Sequence, residues 1–222
     1  MNRKWIKNGI IGLALVLVCV MVGCGFAAKE KEKNSDAVVE TKQVSAKAED
    51  NKASEEPEEP EEPKLLNENI TCIGDSVMLG AQAEMENRIE NIMVDAKESR
   101  QLVQAKDLVV SLKNADNLGG RVVIGLGTNG LFSEEDGQKL LDEIGSERKI
   151  YWVTAYGAHL TNQDAVNEVI QTLADKNENL TLIRWNEHAN SHSEWFYNDG
   201  IHLNGEGRVA YAELVRTELE KE

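Results

Sequence analysis

Between residues 70 and 219, short apolar runs rich in β-branched side chains alternate with longer segments of helical spacing, and this alternation constrains the fold more than any other feature. The runs predict strands at 70–74, 92–96, 121–125, 149–154 and 180–184, and the spacing predicts helices at 77–91, 100–114, 133–144, 163–176 and 205–219. Each helix returns the chain to the starting edge of the next strand, so consecutive strands run parallel through right-handed crossovers. Strands this apolar need helices over both faces. The expected class is therefore α/β, a three-layer α/β/α sandwich around a five-stranded parallel sheet. Residues 65–222 suffice for one such domain, which would bury roughly 70 % of its unfolded surface.

The preceding residues are built differently. Arg3, Lys4 and Lys7 stand before 20 uncharged residues from Gly9 to Ala28. At about 1.5 Å per residue that stretch can cross a hydrocarbon layer of roughly 30 Å. The leading positive charges hold that end in the cytoplasm and send the remainder outward. For residues 1–28, Met21-Val22-Gly23-Cys24-Gly25 resembles a bacterial lipoprotein cleavage site with Cys24 as the lipidated residue; the alternatives are an uncleaved signal anchor and simple cleavage. Residues 29–64 are rich in Glu, Lys, Ala, Ser and Asn and close on three Glu-Glu-Pro repeats at Pro57, Pro60 and Pro63. Such a composition cannot bury enough apolar surface to offset its ordering entropy, so it reads as a disordered spacer, on the order of 35 Å across as a coil. The folded domain is expected outside the cytoplasm, anchored to the membrane.

The chain carries 24 Lys and Arg against 39 Asp and Glu, a net charge of −15, and from Leu65 onward the balance is 14 against 27. Nucleic acid is disfavoured as a partner, because this field repels a polyanion at long range; a neutral or cationic substrate fits better. Cys72 is the lone cysteine of the folded part, which excludes an intradomain disulfide and a cysteine zinc site there.

In an open parallel sheet, ligand-facing groups project from the carboxyl ends of the strands beside the point where strand order reverses. In the flavodoxin-like order 2-1-3-4-5 that point lies between the first and third strands. Both ends are glycine-rich here: Gly74-Asp75-Ser76 follows the first, and Gly125-Leu126-Gly127-Thr128-Asn129-Gly130 follows the third. Ser76 would open a helix, where free N–H groups and the dipole favour negative charge, although serine also caps helices without doing chemistry. A nucleophilic serine needs an imidazole to take its proton and a carboxylate to orient the imidazole. Asp199-Gly200-Ile201-His202, before the last helix, offers both; read alone it is an Asp-Gly turn. Gly200 there permits an unusual backbone angle. Asn129 adds a side-chain amide able to stabilise a developing oxyanion, or else closes an Asn-Gly turn. Met78 occupies the last position of what would be Gly-x-Ser-x-Gly, which disfavours the α/β-hydrolase elbow.

Taken in order, Gly74-Asp75-Ser76, Gly127-Thr128-Asn129 and Asp199-x-x-His202 resemble the blocks of the SGNH (GDSL-type) hydrolase family over nearly all of residues 65–222. The finer wording, with Gly74-Asp75-Ser76-Val77-Met78, Ser99-Arg100-Gln101, Gly127-Thr128-Asn129-Gly130 and Asp199-Gly200-Ile201-His202-Leu203-Asn204, is similar to the extracellular SGNH domain of peptidoglycan O-acetyltransferases. The resemblance implies the SGNH hydrolase fold and an acyl-serine mechanism, with Ser76 as nucleophile, His202 as general base and then acid, and Asp199 as its orienter. It implies an oxyanion hole made of the Ser76 backbone N–H, the Ser99 backbone N–H and the Asn129 side chain. Ser99 stands where the wider family offers glycine, and Gly130 replaces an Asp common there. No cofactor and no metal are expected. The O-acetyltransferases compared carry a multi-helix membrane domain that delivers acetyl groups, so a transferase of this kind would draw on a separate acetyl-donor membrane protein or a soluble donor.

The expected function is that of an extracytoplasmic serine esterase or O-acyltransferase acting on O-acetyl groups of a cell-wall glycan, with water or a sugar hydroxyl as acceptor. A catalytically inactive glycan-binding lipoprotein is the alternative, against which the ordered set of Ser76, Asp199 and His202 argues. A receiver-like reading with Asp75 and Asp95 around Mg²⁺ is at odds with export. Asp75 reads as a structural hydrogen-bonder, and His159, His188 and His192 read as polar loop residues. Trp185, Trp195 and Tyr197 offer aromatic faces for a sugar platform or for packing, and Cys72 reads as a small buried apolar residue.

Overall fold

The structure is a computed structural model in which residues 68–221 are described; the expected signal segment, Cys24 and the spacer lie outside the described residues. Strands β1 (Ile70–Gly74), β2 (Ile92–Ala96), β3 (Arg121–Gly125), β4 (Lys149–Val153) and β5 (Leu180–Ile183) form one parallel sheet in the order β2-β1-β3-β4-β5. The helices are α1 (Ser76–Arg88), α2 (Leu102–Asn114), α3 (Glu134–Ile144), α4 (Gln163–Lys176), α5 (Trp185–Ala189) and α6 (Gly205–Glu220), with a 3-10 turn at Ser193–Trp195. Gly74 is level with Ala96 on one side and Gly125 on the other, so the three strands end together. Strand order reverses between β1 and β3, which brings the loops after both to one crevice.

Side chains alternate between the two faces of the sheet. Cys72, Val123, Tyr151 and Val153 pack with α1, α5 and α6; Ile73, Val122, Ile124, Ile150 and Trp152 pack with α2, α3 and α4. Full burial of one large apolar side chain contributes about 1.5–3 kcal/mol, so two such layers hold the domain without a cross-link. Cys72 is a free thiol within the first layer, and burial pushes its pKa far up, which makes it inert.

Element ends shift from the sequence reading by one or two residues in several places, and two differences are larger. Helix α1 ends at Arg88, because Ile89 is already extended and Asn91 takes a left-handed φ of 55° that turns the chain into β2. Helix α5 and the 3-10 turn are too short to show a periodicity, so the sequence predicts loop there. His188 therefore lies in a helix, anchored by the buried Trp185 and Ala189, while His192 lies beyond its end.

The 3-10 turn packs on α6 through Gly207, where a Cβ would stand 2.1 Å from the Trp195 carbonyl oxygen. Alanine there would gain about 1 kcal/mol of helix propensity. Forcing a methyl group against backbone costs about 1–3 kcal/mol, so overpacking wins. Gly207→Ala is expected to lower the urea unfolding midpoint with the slope unchanged; a midpoint at or above that of the unsubstituted protein would mean that the turn yields freely.

Candidate active site

The site begins where β1 ends. The Asp75 N–H donates to Gly125 O at 3.1 Å, tying the start of α1 to β3, and Asp75 Oδ1 accepts from the Val77 N–H at 2.9 Å. Asp75 is thus the helix cap, and Ser76 is left at the first helical position with its hydroxyl uncommitted to capping. Burial pushes the Asp75 carboxyl above its ordinary value, against hydrogen bonds from Val77 and Thr128 and the charge of His202. Its part is structural, as the sequence suggested.

Ser76 Oγ lies 3.0 Å from His202 Nε2, and His202 Nδ1 lies 2.8 Å from Asp199 Oδ2. With the proton on Nδ1 donated to the carboxylate, Nε2 is free to accept from the serine. Asp199 Oδ1 in turn accepts the Ile201 and His202 N–H groups, each at 2.9 Å. Those two amides are the main cause that holds its carboxyl down to about 2, with His202 adding to the effect. The loop is closed by Tyr197 N–H to His202 O at 2.9 Å, Gly200 N–H to Tyr197 O at 2.8 Å and Ala158 N–H to Gly200 O at 2.9 Å. Gly200 has φ +69° and a Cβ there would meet Ala158 Cβ at 2.9 Å, so glycine is required. The Asp199 and His202 side chains are each 48 % exposed, so solvent screens their attraction and orientation is the larger effect.

Ser76, Ser99, Asn129, Tyr197, Asp199 and His202 line one groove of about 710 Å³. Ser99 sits at φ +58°, keeping a turn that glycine would adopt at lower cost. Asn129 Nδ2 donates to Arg100 O at 3.3 Å, which fixes the amide and leaves its second hydrogen available. Arg100 is buried, and its guanidinium donates to Gly74 O at 3.2 Å, to Asp95 O, and to Asp95 Oδ1 at 2.5 Å. It ties the ends of β1 and β2 to the loop that presents Ser99 and anchors Asn129. The Ser99-Arg100-Gln101 motif contains this arginine without revealing its role, because nothing in local spacing marks an arginine as buried.

Of the three candidate platform residues, Tyr197 alone lines this groove, at 53 % exposure. Trp185 is core, and Trp195 is stacked between Trp185 at 5.9 Å and His192 at 3.7 Å between ring centroids. His188, His192 and Trp195 line a second groove along α6. His159 is exposed beside Gly200. Among the described residues no group of three or more His, Cys, Asp or Glu is arranged to hold a metal, and no helix is long and apolar enough to cross a membrane.

The Asp199 carboxylate gives a direct test of the loop geometry. Its pKa is depressed from 3.8, so its contribution to the loop is complete above that value and is lost as the pH falls from there through about 2. Carbon NMR of the Asp199 carboxyl is expected to titrate near 2; a midpoint at the ordinary value would mean that the two amide hydrogen bonds are not made.

No family model matches the chain. Over 149 residues it is 36 % identical to the O-acetyltransferase OatA of Staphylococcus aureus, a match that covers 67 % of this chain and 24 % of that protein. The chain thus spans about a quarter of the length of the curated relatives it matches. Its fold superposes on the C-terminal catalytic domain of the peptidoglycan O-acetyltransferase A (OatA) of Streptococcus pneumoniae with a TM-score of 0.64 at 23 % identity, covering 70 % of this chain and 94 % of that one. It also superposes on the psychrotrophic esterase EstA of a Pseudoalteromonas species with a TM-score of 0.56 at 13 % identity, covering 70 % and 98 %. By sequence the chain is homologous to the peptidoglycan O-acetyltransferases over the matched residues, and residues 68–221 have the SGNH hydrolase fold.

Proposed function

We propose that this protein is an extracytoplasmic serine enzyme that transfers or removes O-acetyl groups on a cell-wall glycan, peptidoglycan in the first instance, through an acyl-serine intermediate. The observation that carries this reading is the unbroken relay from Ser76 Oγ through both ring nitrogens of His202 to Asp199 Oδ2, at 3.0 and 2.8 Å. The names of its relatives as O-acetyltransferases support the choice of acyl group and glycan. A groove open to solvent suits a polymer, which must bind without being enclosed.

In the first step His202 Nε2 takes the Ser76 proton as Oγ bonds to the acyl carbon. The carbonyl oxygen becomes an oxyanion, accepting from the Ser76 N–H at the head of α1, the Ser99 N–H and the Asn129 amide. Collapse breaks the bond from the acyl carbon to the leaving oxygen, to which His202 returns the proton. In the second step His202 takes the proton of a sugar hydroxyl or water, whose oxygen bonds to the acyl carbon; collapse then breaks the bond from that carbon to Ser76 Oγ, to which His202 returns the proton. Asp199, held ionised, fixes the tautomer of His202 and stabilises its imidazolium. The steps call on no cofactor. Residues 1–28 would hold the domain at the membrane, through lipidated Cys24 or as a signal anchor, with residues 29–64 as spacer to the 65–222 domain. For transfer, acetyl groups would come from a membrane protein or from a soluble donor.

Ser76→Ala is expected to reduce hydrolysis of p-nitrophenyl acetate to background and to abolish labelling by a fluorophosphonate, with the circular dichroism spectrum unchanged. Retained turnover would remove Ser76 from its role. Asn129→Ala should lower kcat by about 10²–10³-fold, the loss found on deleting one oxyanion donor. Incubation with an acetyl donor and muropeptides, read by mass spectrometry, separates free acetate from acetyl on sugar; glycan binding with no turnover would favour the binding module.

A further inference from the structure

Among the described residues asparagine precedes glycine twice, at Asn129-Gly130 and at Asn204-Gly205. Such a pair is chemically labile in water. Glycine has no Cβ to keep its backbone nitrogen from swinging toward the carboxamide carbon of the preceding side chain, so the two can meet and react. Whether they do depends on how firmly the amide and the glycine backbone are held, and the fold treats the two pairs differently.

Asn204 is held through both polar atoms of its amide. Its Oδ1 accepts the N–H groups of Glu206 at 3.0 Å and Gly207 at 3.1 Å, and its Nδ2 donates to Glu194 O at 2.5 Å and to Phe196 O at 3.4 Å. Gly205 opens α6, so its backbone is fixed as well. The Asn129 amide makes one hydrogen bond among the described residues, from Nδ2 to Arg100 O at 3.3 Å, just beyond the usual range for an N–H donor. Gly130 has φ +147°, a Cβ there would meet nothing within 4 Å, and its N–H has no hydrogen-bond partner among the described residues. In the Asp199-Gly200 pair, by contrast, the glycine N–H is committed to Tyr197 O at 2.8 Å. Asn129 also lines the open groove of about 710 Å³, where solvent reaches it.

We infer that Asn129 is a site of spontaneous deamidation. The Gly130 nitrogen gives its proton to solvent base and bonds to Asn129 Cγ; the bond from Cγ to Nδ2 breaks, and the departing nitrogen takes up a proton and leaves as ammonia. Water then opens the cyclic imide. Hydrolysis at Cγ restores the main chain and leaves aspartate at position 129, and hydrolysis at the main-chain carbonyl leaves isoaspartate. Water is the only co-reactant. The consequence, unlike the reaction, rests on the acyl-serine reading. A carboxylate has no hydrogen to donate, it places negative charge where the oxyanion develops, and it faces the Arg100 carbonyl that the amide had bonded. Each molecule passes once from oxyanion donor to carboxylate, so activity is lost with age rather than with use.

The test ages the purified full chain in heavy-oxygen water at neutral and mildly alkaline pH, and reads each Asn-Gly peptide by mass spectrometry alongside turnover of p-nitrophenyl acetate. The Asn129 peptide is expected to lose its amide and gain heavy oxygen roughly tenfold or more faster than the Asn204 peptide, whose amide is freed only by breaking four hydrogen bonds against one. The loss should quicken at the higher pH. In urea, where the fold no longer distinguishes them, the two pairs should react at similar rates. Turnover is expected to fall in proportion to the amide lost at position 129, and Asn129→Asp, which carries the product from the start, should lose at least as much activity as Asn129→Ala. An Asn129 amide that matches or outlasts that of Asn204 in the folded protein would overturn the inference, whatever turnover does. Amide loss at Asn129 with turnover unchanged leaves the modification standing and removes Asn129 from the oxyanion hole. Absence of turnover at the outset sinks the catalytic reading, and the peptide masses still decide the modification.

Discussion

A hydrogen bond of 3.0 Å between Ser76 Oγ and His202 Nε2 joins residues 126 positions apart, and much of the fold keeps its two ends still. Ser76 heads α1, His202 precedes α6, and the two helices share one face of the sheet through Met78, Met85, Tyr211 and Val215, all buried. The approach of α1 to the strand ends depends on two glycines. A Cβ on Gly74 would meet Met78 at 2.4 Å, and one on Gly125 would meet it at 2.6 Å. A side chain at Gly74 would press on Met78 Cβ itself and lift the first turn of α1, and Ser76 with it, whereas at Gly125 it would displace the Met78 side-chain end. Interiors packed at crystal-like density resist such shifts, and displacement of a reacting group by about 1 Å can cost 10²-fold in rate.

The two aspartates of the motifs show how environment separates roles. Asp75 is buried, which disfavours its charge, and it serves by capping the helix that presents Ser76. Asp199 is exposed, yet two backbone amides hold it ionised, so it can face an imidazole that becomes positive. One carboxylate is set by desolvation and the other by hydrogen bonds to its charged form. Arg100 does comparable work on the other side of the groove by fastening the ends of β1 and β2 to the carbonyl that anchors Asn129.

The five strands and five longer helices were legible in the sequence because their periods of two and about 3.6 survive into the structure as the alternating faces of Cys72 and Ile73 or of Tyr151 and Trp152. The convergence of Ser76, Asn129, Asp199 and His202 was legible for a different reason: glycine-rich turns after β1 and β3 mark the topological switch point. What local pattern leaves out is set by distant contacts. Helix α5 exists because Trp185 and Ala189 find the core, and Trp195 is packed between Trp185 and His192 where a sugar platform was one expectation. The burial of Arg100 depends on partners that sequence spacing does not reveal.

The central claim is that Ser76 carries the acyl group between donor and acceptor. Rapid quenching of the protein with an acetyl donor, followed by intact-mass measurement and peptide mapping, tests it most directly. The account predicts one added acetyl group, on the peptide containing Ser76, which decays when an acceptor sugar or water consumes it. Acetyl turnover with no acylated protein at any time, or with the acetyl group on another residue, would contradict it.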